Sequence, residues 1–132
     1  SYLSYPGNYG FVPGTLIDES KGGDGDQLDI ILIGSALVRG SVVPVRIVGV
    51  LKLVDTGEQD DKLIALPISA ALSDIRDIDD LYLGMQGILE TWFKNYKGKD
   101  RVESLGFQNR QRGLTILEIS IEDFRLTALN NE

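Results

Sequence analysis

Hydrophobic and polar positions change rhythm about halfway along the chain. In the first half, Leu28–Ile33 (LDIILI) is a compact, β-branched run that predicts a buried strand. In residues 41–54, Val43, Val45, Ile47, Leu51 and Leu53 share one parity, while Arg46 and Lys52 take the other. That pattern predicts a long strand with one face in the core, Pro44 near its start and Gly49 as a kink or bulge. Residues 62–66 (KLIAL) read as a third strand, paired with the second through the polar stretch 55–61. Ahead of these, residues 4–26 hold Pro6, Gly7, Gly10, Pro13, Gly14, Gly22, Gly23 and Gly25. Such a density of backbone breakers predicts turns, with at most a short strand around residues 9–12.

The second half shifts to a helical period. Leu81, Met85, Ile88, Trp92 and Tyr96 form an apolar stripe that predicts a helix over about 79–97. Asp77, Asp79 and Asp80 stand at its front and Lys94, Lys97 and Lys99 at its back, signs that suit the helix dipole, and Gly98 is a plausible stop. The tail reads two ways. Leu114, Leu117, Ile121, Phe124 and Ala128 make a helical stripe, yet Leu117, Ile119 and Ile121 also alternate as in a strand; the helix is preferred. Strands first and helices later predict a single α+β domain over residues 1–132.

Composition narrows the chemistry. The chain has 132 residues, 42% hydrophobic and 25% charged, which suits a globular domain with a core. It contains no histidine and no cysteine. That excludes Ser-His and Cys-His nucleophile pairs, zinc clusters of nitrogen and sulfur ligands, and disulfides. The remaining ligands are oxygens, which suit hard cations such as magnesium, manganese or calcium. A net charge of −7 argues against nucleic acid and anionic membranes as partners, and no 18-residue apolar run exists. A reducing, cytoplasmic setting is the expectation.

The acidic residues are unevenly placed: nine of the 20 lie between positions 18 and 61. One group, Asp24-Gly25-Asp26-Gln27-Leu28-Asp29, opens the first strand. A second, Asp55-Thr56-Gly57-Glu58-Gln59-Asp60-Asp61-Lys62, joins the second strand to the third. Taken alone, the Asp24-Gly25-Asp26 group reads first as a solvated turn, and the second group has the same alternative. If the strands are neighbours, Asp24, Asp26, Asp29, Asp55 and Asp60 converge, and their mutual repulsion calls for metal ions. An EF-hand fails, because Leu28 and Asp29 fall where its loop needs a ligand and then glycine. Nucleotide-binding glycine motifs are absent as well. Lys62, and Tyr96 with Lys97, offer donors to a phosphate-sized anion, although taken alone Tyr96 reads first as the end of the apolar stripe and Lys97 as a dipole complement. Tyr5 and Tyr9 read as core aromatics or as the lining of a site.

Taken together, these motifs resemble the soluble (family I) inorganic pyrophosphatases. The resemblance rests on Tyr5-Pro6-Gly7-Asn8-Tyr9-Gly10-Phe11-Val12-Pro13, the Asp24–Asp29 group, Val48-Gly49-Val50-Leu51-Lys52, the Asp55–Lys62 group and Trp92-Phe93-Lys94-Asn95-Tyr96-Lys97. It implies a small, twisted OB-like β-barrel with helices packed outside. It further implies magnesium-dependent hydrolysis of pyrophosphate to phosphate, with several Mg2+ ions or other hard cations such as Mn2+, in a homo-oligomer. By the same resemblance Asp24, Asp29 and Asp60 hold a first metal, Asp29 reaches a second, and Asp55 and Asp60 hold a further one brought with the substrate. Asp26 accepts a proton from the attacking water. Tyr9, Lys62, Tyr96 and Lys97 bind phosphate oxygens, and Gly49 and Lys52 are structural.

Three departures from the family pattern stand out. Gln27 replaces a usual proline and loosens the loop without removing a ligand. Ser4 stands where an aromatic is common. The N-terminal strands of the family, with their Glu, Lys and Arg residues, have no counterpart in the sequence, which leads to the expectation of an N-terminally truncated domain. The competing reading is a non-catalytic or impaired module of this fold that binds metal or phosphate without turnover. A calcium- or sugar-binding β-domain is a third, disfavoured by Tyr96 and Lys97.

Overall fold

The computed structural model describes residues 7–34, 36–68, 74–81, 83–97 and 101–131, with the side chains of Leu83, Tyr96 and Lys97 excepted. Within these, β1 (Gly7–Val12), β2 (Leu28–Ile33), β3 (Val45–Asp55), β4 (Glu58–Gln59) and β5 (Lys62–Pro67) precede α1 (Leu83–Lys97), β6 (Val102–Asn109) and α2 (Arg110–Asn130). The strands form one sheet in the order β1-β2-β5-β3-β4, with β6 on the other side of β3. The pairing of β2 with β5 is parallel, and the others are antiparallel. The α+β class is as expected. Among the described residues, however, β1 pairs with β2 alone and the sheet does not close into a barrel.

Each face of the sheet carries its own core. Ile31, Ile33, Leu51, Leu53, Ile64 and Leu66 pack with Leu89 and Phe93 of α1. Leu28, Ile30, Leu32, Val50, Leu63 and Ala65 pack with Ile116 of α2. The middle strands are therefore buried on both sides, a cover that helices on two faces of a sheet provide.

Several expectations shift under this packing. The second strand begins at Val45, just after Pro44, which has no N–H to offer the ladder. Its two faces are both buried, and a register shift between Ile47 and Gly49 breaks the single parity, so Ile47 joins one core and Leu51 the other. Gly49 is the close-approach point: a Cβ there would lie 2.8 Å from the Gln108 carbonyl oxygen and 2.9 Å from Ile78 Cβ.

The first helix starts at Leu83. The carboxylates assigned to its front serve a separate 3-10 turn, Ile78–Asp80, in which Asp77 caps the first N–H and Asp80 accepts from the Asp77 N–H. The deepest residues of α1 are Leu89 and Phe93, one step round from the predicted stripe, with Met85 and Trp92 half-buried at the side. Gly98 and Lys99 lie outside the described residues.

The tail is helical, as preferred, but rotated. Gly113, Ile116, Ser120 and Asp123 face inward, while Ile121, Phe124 and Ala128 are exposed. Small residues set this face: a Cβ on Gly113 would come 3.0 Å from the Gly49 carbonyl oxygen, so the helix lies directly on β3. Asp123 then reaches Lys21 at 2.8 Å. Strand β6 was not predicted. Gly106, at φ 88°, and the register shift between Lys52 and Leu53 break the alternation that would have marked it.

Candidate active site

Strand register brings the first constellation together. Asp29 and Lys62 are partners in the parallel pairing of β2 with β5, and both point to the α1 side of the sheet with Ile31 and Ile64. Tyr9 reaches them from β1, the next strand over. The Lys62 ammonium is fully buried and donates to Asp29 Oδ2 at 2.5 Å, Asp60 Oδ1 at 2.7 Å and Tyr9 Oη at 3.0 Å. Tyr9 Oη donates in turn to Asp29 Oδ2 at 2.8 Å. The rings of Tyr9 and Phe93 stand 5.5 and 5.8 Å from that ammonium. A buried cation is tolerable only with such partners.

The glycine-rich stretch before β2 supplies the next residues. Asp24 Oδ1 accepts from the Asp26 N–H at 2.9 Å, an Asx turn that Gly25 permits at φ 80°. Burial, then the neighbouring charges of Asp26 and Asp60, hold the Asp24 carboxyl above the ordinary aspartate range, partly offset by that N–H bond. Asp24 thus shares an electrostatic environment with Asp26 and Asp60. Asp26 and Asp29 line a shallow hollow of about 360 Å3 with Tyr9, Gly10, Phe11 and Gln27.

Asp55 is bonded to a different partner, although the Asp60 N–H donates to the Leu53 carbonyl only two residues away. It ends β3, and its Oδ1 accepts from Arg101 Nε at 2.5 Å and from Thr56 Oγ1 at 3.0 Å. Of the candidates named from sequence, Tyr9, Asp29, Asp60 and Lys62 are joined directly, and Asp24 is coupled to Asp26 and Asp60 by field. Asp55 pairs with an arginine instead, and the side chains of Tyr96 and Lys97 lie outside the described residues, as does Tyr5. Two participants were missed. Phe93 was seen only as part of a motif, and Arg101 carried no signal, since the pairing that places it depends on the unpredicted strand β6. Lys52, read as structural, is bonded to Asp61 at 2.9 Å.

The donor set suits a hard divalent cation, being carboxylate oxygens alone. Burial is the main cause of the raised Asp24 carboxyl, but the charges of Asp26 and Asp60 add to it, and a cation would relieve that repulsion. Among the described residues no three carboxylates form a ready-made cage. Asp29 and Asp60 meet through the Lys62 ammonium, so an ion would draw further oxygens from water and substrate, as magnesium commonly does.

Comparison with known proteins identifies the family of the chain. The family model described as inorganic pyrophosphatase matches residues 1–125. The inorganic pyrophosphatase of Helicobacter pylori (strain ATCC 700392 / 26695) is 39% identical over 129 residues, covering 92% of this chain and 72% of that protein. A solved Helicobacter pylori inorganic pyrophosphatase superposes with a TM-score of 0.82 at 37% identity, over 95% of this chain and 75% of that one. A Trypanosoma cruzi vacuolar soluble pyrophosphatase, truncated at its N-terminal domain and solved in complex with PPi, gives a TM-score of 0.84 at 25% identity, over 92% and 52% of the two chains. The Tyr9–Asp29–Lys62–Asp60 constellation therefore sits in a chain that belongs to the inorganic pyrophosphatases.

Proposed function

We propose that this chain, read as one domain over residues 1–132, hydrolyses inorganic pyrophosphate to two phosphates with magnesium or a similar hard cation. The observation that carries the reading is the buried Lys62 ammonium held between Asp29, Asp60 and Tyr9. An ammonium and a phenol suit a phosphate oxygen, and the carboxylates around them suit the ions that accompany it. The complex with PPi solved for the Trypanosoma cruzi relative supports the choice of substrate.

Asp24, Asp29 and Asp60 would hold ions on the centre, and Asp55 with Asp60 a further one. A magnesium ion held by these carboxylates would lower the pKa of water at the centre, so that a nucleophile would be available near neutral pH. Asp26, at the edge of the Tyr9 hollow, takes the proton from the attacking water. With Asp29 and Asp60 turned to ions, the Lys62 and Tyr9 donors they now occupy would be freed for the phosphate oxygens and would offset charge as the bridging bond breaks. Tyr96 and Lys97 are assigned the same task from the far end of α1. Among the described residues no helix is long and apolar enough to cross a membrane. We further read the chain as cytoplasmic and homo-oligomeric, with no nucleic-acid partner.

Phosphate release from pyrophosphate, with and without magnesium, tests the reading. The expected result is two phosphates per pyrophosphate, abolished by chelation and restored by added magnesium. Ion and phosphate binding without turnover would replace it with the non-catalytic alternative.

A further inference from the structure

Asp55 is tied to Arg101 by the chain's own topology. Asp55 faces Val102 across the pairing of β3 with β6, and the Thr56 N–H donates to the Arg101 carbonyl at 2.9 Å, so the arginine backbone is fixed beside the carboxylate. The Asp55 side chain is 11% exposed, whereas that of Arg101 is 60% exposed. The guanidinium also borders an open hollow of about 930 Å3 with Thr56, Thr91, Lys94 and Asn95, which leaves it room to swing away. Asp55, followed by Asp60, holds the Arg101 guanidinium above its ordinary range, so its charge is felt at both carboxylates.

We propose that Arg101 is an internal competitor for the cation at Asp55: the guanidinium occupies the carboxylate when no ion is present and must leave before one binds. The proposal rests on the metal role assigned to Asp55 above. Arg101 accordingly sets the affinity of this ion and keeps it the loosest of the set. The Lys62 ammonium, by contrast, is fully buried and shared among Asp29, Asp60 and Tyr9.

The test is calorimetric titration with MnCl2 of the metal-free protein, alone and with a non-hydrolysable pyrophosphate analogue present, for the wild-type chain, Arg101→Gln, Asp55→Asn and the double variant. An exposed ion pair favours its closed form only by a factor of a few, so Arg101→Gln should tighten the weakest site roughly two- to six-fold. In the Asp55→Asn background the same change should have a clearly smaller effect, confined to the field at Asp60, which separates competition at Asp55 from a general change in field. Unchanged or weaker binding by Arg101→Gln would overturn the proposal, as would equal tightening in both backgrounds. Absence of manganese binding by any of the four chains would overturn the metal reading of the site together with it.

Discussion

Lys52 and Asp61 stand opposite each other across the β3–β5 hairpin, Nζ 2.9 Å from Oδ2, on the face of the sheet away from Lys62. Register imposes this, since Leu51 faces Lys62 and Val54 faces Gln59. Asp61 is buried, its Oδ2 also accepts from Gln59 Nε2 at 2.5 Å, and its Oδ1 has no hydrogen-bond partner among the described residues. The two residues that flank the loop carboxylate Asp60 are thus anchored on the far side of the sheet.

Breaking this pair at one end should be costly. Asp61→Ala leaves the Lys52 ammonium 14% exposed and unpaired, and is expected to lower stability by about 2–4 kcal/mol in urea unfolding. The double change Lys52→Met with Asp61→Leu should recover most of that loss, because an apolar pair also removes the stranded Oδ1.

Lys62→Met removes the cation that Asp29 and Asp60 share. The metal-free variant should lose about 3 kcal/mol of stability, since two carboxylates then face each other without compensation. Added magnesium should restore more melting temperature to this variant than to the wild type. Turnover should remain low even with magnesium, because the donor to phosphate is gone. Thermal melts with and without the ion, beside a phosphate-release assay, check both parts.

Asp26→Asn should slow turnover by about 10²–10⁴-fold while manganese binding is largely kept. An unchanged rate would remove Asp26 from its place as proton acceptor.

Two aspartates predict opposite responses to pH in the metal-free protein. Burial raises the Asp24 carboxyl, so its stabilising contribution is complete below the unfolded-state range and is lost as pH rises through the folded value. Asp24→Asn should therefore stabilise the ion-free chain at neutral pH, by roughly 2 °C or less at this partly exposed site, and should have little effect in acid. Backbone N–H donors from Arg76 and Asp77 lower the Asp80 carboxyl, so its contribution is present above the unfolded range and fades as pH falls through the folded value. Asp80→Asn should lose stability at neutral pH and match the wild type in strong acid. Melting curves across pH 3–8 distinguish the two, the range being about that over which aspartates titrate.

Much of the site was legible because it lies on strands whose period is short and whose motifs are contiguous. Asp29 and Lys62 each occupy the polar end of an apolar run, so both strands were legible, while their meeting at one end of the sheet depends on the parallel pairing that the structure supplies. Asp60 follows from the same hairpin. Arg101 was invisible for a physical reason: its position depends on β6, where Gly106 and a register shift break the alternation. The rotation of α2 was hidden similarly. Apolar content pointed to Leu114, Leu117 and Ile121, while the buried face is chosen by Gly113, whose lack of a side chain lets the helix rest on β3. Hydropathy reports which residues prefer burial, but close approach is decided by which residues are small.

Parallel pairing of β2 with β5 has a kinetic consequence. Asp29 and Lys62 are 33 residues apart, and the β3–β5 hairpin alone carries Lys62 without its partner. Loop-closure entropy makes such distant pairings late events in folding. During refolding, native-like helix content and hairpin formation should therefore precede any recovery of turnover, and the return of phosphate release should track the slowest step of sheet assembly. For this chain, enzymatic activity is a reporter of completed topology.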